Sequence, residues 1–245
     1  KSGIQTIPFT KLQFEDVAKN LDISLPKNVP DVIYSFRYRN DFPAQIVGTA
    51  SPGKEWIIRG TGKGRYSFCH VKHISFKPSD NFAETKIPNA TPGIIARYAL
   101  DDEQALLAKV RFNRLVDIFT GLTCYSLQNH LRTSVKNMGQ VETDEIYVGL
   151  DKRGVHYIIP VQAKGGKDRL GRVQIEQDFA LCAEKFPGLI CKSIAAQFLP
   201  NDVIVLFEME FDGDEMAIIG EKHYRLVEPG VLSDAELETY KTRLS

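Results

Sequence analysis

"GQVETDEIYVGLDKRGVHYIIPVQAKGGKD", residues 139–168, has the pattern of a β-hairpin. Apolar residues occupy every second position from 146 to 150, which is the two-residue period of a strand. The tetrapeptide "DKRG" at 151–154 offers residue types that favour a tight turn. The arm that follows, 155–161, is apolar at nearly every position, as expected of a strand that is covered on both faces. The hairpin therefore predicts the centre of a buried sheet.

Charged and amide side chains collect at the open end of this hairpin. The first arm carries Glu142, Asp144 and Glu145, and the return arm ends in Gln162 and Lys164. Neighbouring carboxylates repel each other, and removing them from water costs free energy. A divalent cation offsets both costs, and oxygen ligands with room for water suit Mg²⁺. The pattern therefore predicts a metal site with a lysine beside it.

The register of the hairpin decides which acid shares a face with the glutamine. With the turn centred on 152–153, Gln162 lies opposite Thr143. The alternation of a regular ladder then favours Glu145 over Asp144 on the face of Gln162. A β-bulge or a different turn reverses that preference, so both acids remain candidates.

An acid, a turn and a strand that ends in (D/E/Q)-x-K together resemble the PD-(D/E)xK nuclease superfamily, the fold of the type II restriction enzymes. The resemblance covers roughly 122–210 in architecture and 142–164 in motif. The chain departs from the commonest pattern because Gln162 stands where Asp or Glu is usual and no Pro precedes the acid. This QxK variant is similar to the Mrr-like and transposon-nuclease branches of the superfamily.

The resemblance implies a Mg²⁺-dependent nuclease and assigns roles to the motif residues. Asp144 or Glu145 is expected to be the metal-binding acid, and Gln162 to be a second ligand through its side-chain oxygen. Lys164 is expected to be the catalytic lysine. The backbone carbonyl of Ala163 is expected to be a further ligand.

Glu142 is an additional carboxylate, which could bind a second ion or position water. Because the glutamine leaves fewer protein charges on the metal, the number of bound ions stays open. The principal ligand among Glu142, Asp144 and Glu145 stays open as well.

The N-terminal part resembles a winged-helix DNA-binding module. Two short helical patterns precede a hairpin whose tip, "RGTGKGR" at 59–65, is basic. Six basic residues are candidates for contacts with DNA phosphates: Lys63 and Arg65 on the wing, Arg37 and Arg39 near the end of the second helix, and Lys167 and Arg169 in the loop after the motif.

A stretch rich in Pro, Asn, Ser and Thr near 78–93 predicts a linker, with a DNA-binding module at 1–85 and a nuclease domain at 94–245. The order predicted from residue 94 is α-α-β-β-α-β-β-β-α, an α/β (α+β) fold with a mixed central sheet flanked by helices. The first two elements are expected to be a long helix over 100–122 and a shorter one over 123–137. His130 and Arg132 on the shorter helix could line the cleft.

Composition bounds the class of protein. The net charge is zero in total but +5 over residues 1–80 and −7 over 201–245. Such segregation is a weak indication of a polyanionic partner on one side of the molecule, and on charge alone ordinary surface variation is the preferred interpretation. No apolar run reaches the length of about 18 residues that a membrane span needs. The first residues contain no apolar core of a secretory signal, and the four cysteines are scattered. We therefore expect reduced thiols and a cytoplasmic, prokaryotic protein.

The function expected from these features is Mg²⁺-dependent hydrolysis of phosphodiester bonds in double-stranded DNA, as by a type II restriction enzyme. Cleavage of both strands needs two sites, so a homodimer is expected. Two alternatives remain: a repair, junction or transposition nuclease of the same fold, and a DNA-binding protein without catalysis. A protein-interaction domain with no DNA role is a more distant alternative.

Overall fold

The computed structural model describes residues 6–100, 102–165, 170–212 and 215–242. Two separate sheets organise these residues: a three-stranded antiparallel sheet near the N-terminus and an eight-stranded mixed sheet after it. Helices pack on both faces of the larger sheet, which confirms the predicted α/β class with a mixed central sheet. No helix in the described ranges combines the length and the apolar character that crossing a bilayer requires.

The N-terminal sheet has the spatial order β1-β3-β2. Thr10 ends the first strand and caps the first helix, since its hydroxyl accepts from the Gln13 backbone N–H at 3.2 Å and the Gln13 side chain returns a bond to the Thr10 backbone. The elements are β1 (Thr6–Thr10), α1 (Lys11–Asn20), α2 (Val29–Tyr38), α3 (Ala44–Val47), β2 (Lys54–Gly62) and β3 (Arg65–Lys72).

The larger sheet has the order β4-β11-β10-β9-β7-β6-β5, with β8 beside β7. Its strands are β4 (Glu84–Pro88), β5 (Thr123–Val135), β6 (Gly139–Leu150), β7 (His156–Lys164), β8 (Ile190–Cys191), β9 (Ser193–Leu199), β10 (Val203–Asp212) and β11 (Glu215–Val227). The helices are α4 (Gly93–Tyr98), α5 (Glu103–Phe112), α6 (Leu115–Thr120), α7 (Arg172–Lys185) and α8 (Asp234–Thr242).

The core forms on both faces of the central strands. Leu107 of α5 packs with Ile159 and Val161 of β7 on one face. Leu181 of α7 packs with Ile158 on the other face. This double coverage explains the nearly continuous apolar run of β7. Alternate residues of β7 therefore face either α5 or α7, and this alternation positions the polar end of the strand.

Two helix predictions are wrong. Residues 123–137 contain the long edge strand β5 instead of a helix, so His130 and Arg132 lie on a strand. The helix predicted over 100–122 is divided, because Arg114 adopts a left-handed backbone conformation (φ 51°) between α5 and α6. The segment 78–93, interpreted as a linker, contains β4, which pairs with β11 in parallel.

The N-terminal part docks on helix α7 through buried polar contacts. The Arg59 guanidinium makes two bonds of 2.7 Å to the Glu176 carboxylate. Arg172 donates to the same carboxylate at 2.7 Å and to the Lys72 backbone carbonyl at 2.9 Å. Apolar contacts of Val173 with the face of β2 and β3 continue this interface. The two sheets are thereby held on opposite sides of one cleft.

Candidate functional site

The register of the β6–β7 hairpin differs by one residue from the prediction. Leu150 pairs with His156 and Glu145 pairs with Val161. Continuing this pairing by one residue places Gln162 opposite Asp144, and not opposite Thr143. The expected preference for Glu145 over Asp144 on the face of Gln162 is therefore wrong. The structure brings Asp144 and Gln162 together.

Asp144 lies directly beyond the last backbone pair of the hairpin, Glu145 with Val161. There its side chain, and not a backbone carbonyl of β6, accepts the hydrogen bond from β7. Its Oδ2 accepts from the backbone N–H of Ala163 at 2.8 Å. Burial raises the pKa of the Asp144 carboxyl above its ordinary value, the Ala163 N–H and the Lys164 charge oppose this, and the charges of Glu103 and Glu142 add to it. The Asp144 carboxylate is thus held in place by one hydrogen bond and crowded by other acids.

Gln162 faces helix α7 and is 1% exposed. Its Nε2 donates to both oxygens of Asp178, at 3.0 and 3.1 Å, and to the backbone carbonyl of Glu142 at 3.2 Å. No described residue donates a hydrogen bond to Gln162 Oε1. Since Gln162 also lines the cleft, the amide oxygen is the atom that the cleft can use.

Lys164 closes the motif, and its ammonium group is largely buried. Nζ forms an ion pair of 2.6 Å with Glu103 Oε1 at the start of α5. Glu103 is not among the residues that the sequence predicts for this site, so its place there was missed. The sequence held no signal for this pair, because the two residues are 61 positions apart.

Glu142 joins the site from the part of β6 beyond the paired region of the hairpin. Arg132 donates to its Oε2 at 2.9 and 2.7 Å, and His130 Nε2 lies 3.3 Å from its Oε1. Possible ligand atoms of His130, Glu142 and Asp144 all lie within 4.8 Å of one another. His130 reaches this position because β5 is a strand paired with β6.

Glu145 is separated from this cluster. Its side chain is fully buried on the face of α5, where Oε1 accepts from Arg111 at 2.7 Å and from the Ser126 hydroxyl at 2.6 Å. A carboxylate held by a guanidinium and a hydroxyl inside the core is a structural contact. Of the acids predicted for the site, the structure unites Glu142 and Asp144 and excludes Glu145.

The polar cluster lines a cleft of about 1050 Å³ between the two sheets. Glu103, Glu142, Asp144, Gln162 and Lys164 contribute one wall. Among the predicted DNA contacts, Arg37, Arg39 and Lys63 line the opposite wall, whereas Arg65 does not contribute to the lining. Lys167 and Arg169 lie outside the described residues, so their predicted contacts with phosphates stay predictions.

Comparisons of the chain with family models, with curated proteins and with solved structures found no match in any of the three.

Proposed function

We propose that this protein is a Mg²⁺-dependent endonuclease that hydrolyses phosphodiester bonds of double-stranded DNA, with a site of the PD-(D/E)xK type in its QxK form. One observation carries the proposal. At one end of the β6–β7 hairpin, the Asp144 carboxylate, an amide oxygen of Gln162 to which no described residue donates, and the Lys164 ammonium line one wall of a cleft. The other wall carries Arg37, Arg39 and Lys63 together with two aspartates, Asp31 and Asp41.

The donor atoms fit a hard divalent cation. Asp144 uses Oδ2 for the Ala163 N–H, and no described residue donates to Oδ1. The N–H and C=O of a residue in an extended strand point to the same side, so the Ala163 carbonyl is directed towards β6, the strand that carries Asp144. Carboxylate, amide and carbonyl oxygens are the ligands that Mg²⁺ prefers. Asp144, Gln162 and Ala163 would therefore hold the ion, with Glu142 at the edge of the set.

The cation would supply Lewis-acid stabilisation of the charge that develops on the phosphate and would favour deprotonation of a nearby water. Lys164 contributes a positive charge at the same wall, where it can neutralise a phosphate oxygen. Glu103 holds the Lys164 ammonium at 2.6 Å, which limits the rotamers that the lysine would otherwise sample. The reaction therefore needs no nucleophilic side chain.

The opposite wall supports a nucleic-acid substrate. Lys63 lies in the turn between β2 and β3, and Arg37 and Arg39 lie at the end of α2. All three line the same cleft as the cluster. We propose that the N-terminal part acts as a winged-helix-like module that holds the phosphate backbone. Cleavage would then occur within or directly beside the bound DNA segment, in a homodimer if both strands are cut.

The test is digestion of a library of mixed-sequence plasmids with Mg²⁺, followed by end sequencing. Wild type is compared with Lys164→Ala and with Lys185→Ala, a control lysine at the end of α7 that does not line the cleft. We expect wild type and the control to nick or linearise the DNA equally, and Lys164→Ala to be about 100-fold slower or worse. DNA affinity, measured by anisotropy, should be equal within a few fold.

Equal nicking by wild type and Lys164→Ala contradicts the proposal. No cleavage by either protein, with DNA retained, favours a DNA-binding protein without catalysis. Branched and linear duplexes of one sequence separate a restriction-type enzyme from a junction nuclease, because only the latter prefers the branched form.

A further inference from the structure

A glutamine can bind a hard cation only through its side-chain oxygen, because its nitrogen carries two hydrogens and presents no lone pair to a metal. Rotation of the terminal amide by half a turn exchanges the two atoms. A site that uses Gln162 as a ligand therefore needs a contact that selects one of the two orientations. Such a contact lies on the neighbouring helix.

Among the described residues, every hydrogen-bond partner of the Gln162 side chain is an acceptor. Nε2 donates to Asp178 Oδ1 at 3.0 Å, to Asp178 Oδ2 at 3.1 Å and to the Glu142 carbonyl at 3.2 Å. A flipped amide would lose these bonds and would set its oxygen against a carboxylate and a carbonyl. Asp178 and the Glu142 carbonyl therefore select the amide orientation in which Nε2 faces these acceptors and Oε1 points away from them.

Asp178 has no evident structural reason to be buried where it is. It lies in the middle of α7 with 1% exposure, and no described Lys, Arg or His forms an ion pair with it. Both of its carboxylate oxygens accept from the Gln162 amide, at 3.0 and 3.1 Å. A carboxylate kept in such a position at a cost in stability indicates a role in the site.

We propose that Asp178 is a positioning residue that fixes the amide of Gln162, so that Oε1 is presented to the divalent cation held by Asp144. This inference rests on the proposed metal site and extends it to a residue that does not line the cleft itself. Asp178 would act on the cation through the amide of Gln162. Its removal should therefore weaken metal binding without removing a ligand.

The test exchanges donor and acceptor. In Asp178→Asn, the new amide can accept from Gln162 or donate to it, so only the Glu142 carbonyl still favours one orientation. In Gln162→Glu, two carboxylates face each other in a buried place. In the double variant Gln162→Glu/Asp178→Asn, the amide introduced at position 178 donates to one oxygen of the carboxylate introduced at position 162, and the other oxygen remains for the cation. The double variant therefore restores a directed ligand.

Metal affinity is measured by calorimetric titration of the DNA-free protein with MgCl₂ and, in parallel, with MnCl₂. Asp178→Asn should weaken binding about 10-fold or more, as the loss of contacts that orient metal ligands commonly does. The double variant should return to within about threefold of wild type, because the bond between the two side chains is re-formed with its direction reversed. Glu184→Gln, the same kind of change on an exposed residue of α7, should bind as wild type does.

Two outcomes overturn the inference: wild-type affinity in Asp178→Asn, or a double variant that binds no better than Asp178→Asn. Thermal unfolding checks that each variant is folded, and Asp178→Leu gives a second removal of the acceptor, expected to weaken binding as Asp178→Asn does. The cleavage assay is separate. A wild type that binds the cation but does not cut DNA contradicts the proposed function, while the affinity series still decides the role of Asp178. A wild type that binds neither cation overturns both.

Discussion

Asp144 and Glu145 are adjacent in the chain, yet their side chains end on opposite faces of the central sheet. The Asp144 carboxylate accepts from the Ala163 N–H at 2.8 Å beside the cleft, and the Glu145 carboxylate accepts from Arg111 at 2.7 Å inside the core. We therefore expect one carboxylate of this strand to bind the metal and the other to stabilise the fold, and a matched pair of variants can separate the two roles.

Replacing each acid by its amide should separate binding from folding. Asp144→Asn should abolish Mg²⁺ binding and DNA cleavage, because the ligand loses its charge while its bond to Ala163 can persist. Glu145→Gln should bind Mg²⁺ as wild type does but lower the free energy of unfolding by about 2 kcal/mol, since Arg111 loses a charged acceptor. Calorimetry and urea unfolding measure the two effects. If Glu145→Gln lost metal binding and Asp144→Asn retained it, Glu145 and not Asp144 would be the metal ligand.

The crowded acids should make the metal-free protein sensitive to pH. The pKa of Asp144 is raised by burial, so the folded state binds this proton more tightly than the unfolded state does. The contribution of Asp144 to the free energy of unfolding is therefore fully present below the ordinary pKa of an aspartate, which applies in the unfolded state. This contribution is lost as the pH increases from the unfolded-state pKa through the raised pKa of the folded state. The stability advantage of Asp144→Asn over wild type should grow across that window and be absent at lower pH, where the wild-type carboxyl is protonated in both states.

Melting temperatures over a pH series, with and without Mg²⁺, measure this effect. At neutral pH without metal, we expect Asp144→Asn to melt higher than wild type by about 2–4 °C for each kcal/mol gained. Added Mg²⁺ should raise the melting temperature of wild type and leave that of the variant unchanged. Parallel pH curves for the two proteins would contradict the prediction.

The contact between the two sheets depends on Glu176. This carboxylate is 4% exposed and binds both Arg59 and Arg172, so Glu176→Ala leaves buried positive charge without its partner. We expect a loss of about 3–5 kcal/mol in the free energy of unfolding, measured in urea. Limited proteolysis should cut the variant faster between the two sheets.

The control for Glu176→Ala is Glu238→Ala on α8, which breaks an exposed pair with Lys241 and should leave stability within experimental error. Equal losses in the two variants would mean that the buried carboxylate does not hold the interface.

Lys63, on the N-terminal wall of the cleft, should contribute to DNA binding by its charge. Lys63→Ala should weaken affinity for every DNA sequence and lower the slope of log affinity against log salt concentration by about 1. Lys27→Ala in the same module should leave the slope unchanged, since Lys27 does not line the cleft. Anisotropy titrations over a range of NaCl concentrations measure both. An unchanged slope in Lys63→Ala would exclude its contact with a phosphate.

Local pattern alone predicted the β6–β7 hairpin, helix α7, the strands β9 to β11 and helix α8, because each carries its own periodicity and turn residues. It also placed Gln162 and Lys164 at the end of a buried strand. It did not predict β5. This strand lies at the sheet edge and is exposed along most of its length, so its residues need not alternate, and its pairing with β6 makes it extended.

The register was likewise outside the reach of the sequence. Leu150 pairs with His156, so the loop 151–155 contains one residue more than the loop expected from a turn centred on 152–153. Gly154 accommodates the additional residue by adopting a left-handed backbone conformation (φ 81°). A shift of one residue sends Glu145 into the core and Asp144 to the cleft. The sequence by itself determined the two strands, the glutamine and the lysine. Only the tertiary structure decided that Glu103, His130 and Asp178 join them, because these residues come from other elements and meet the hairpin only when the sheet is packed.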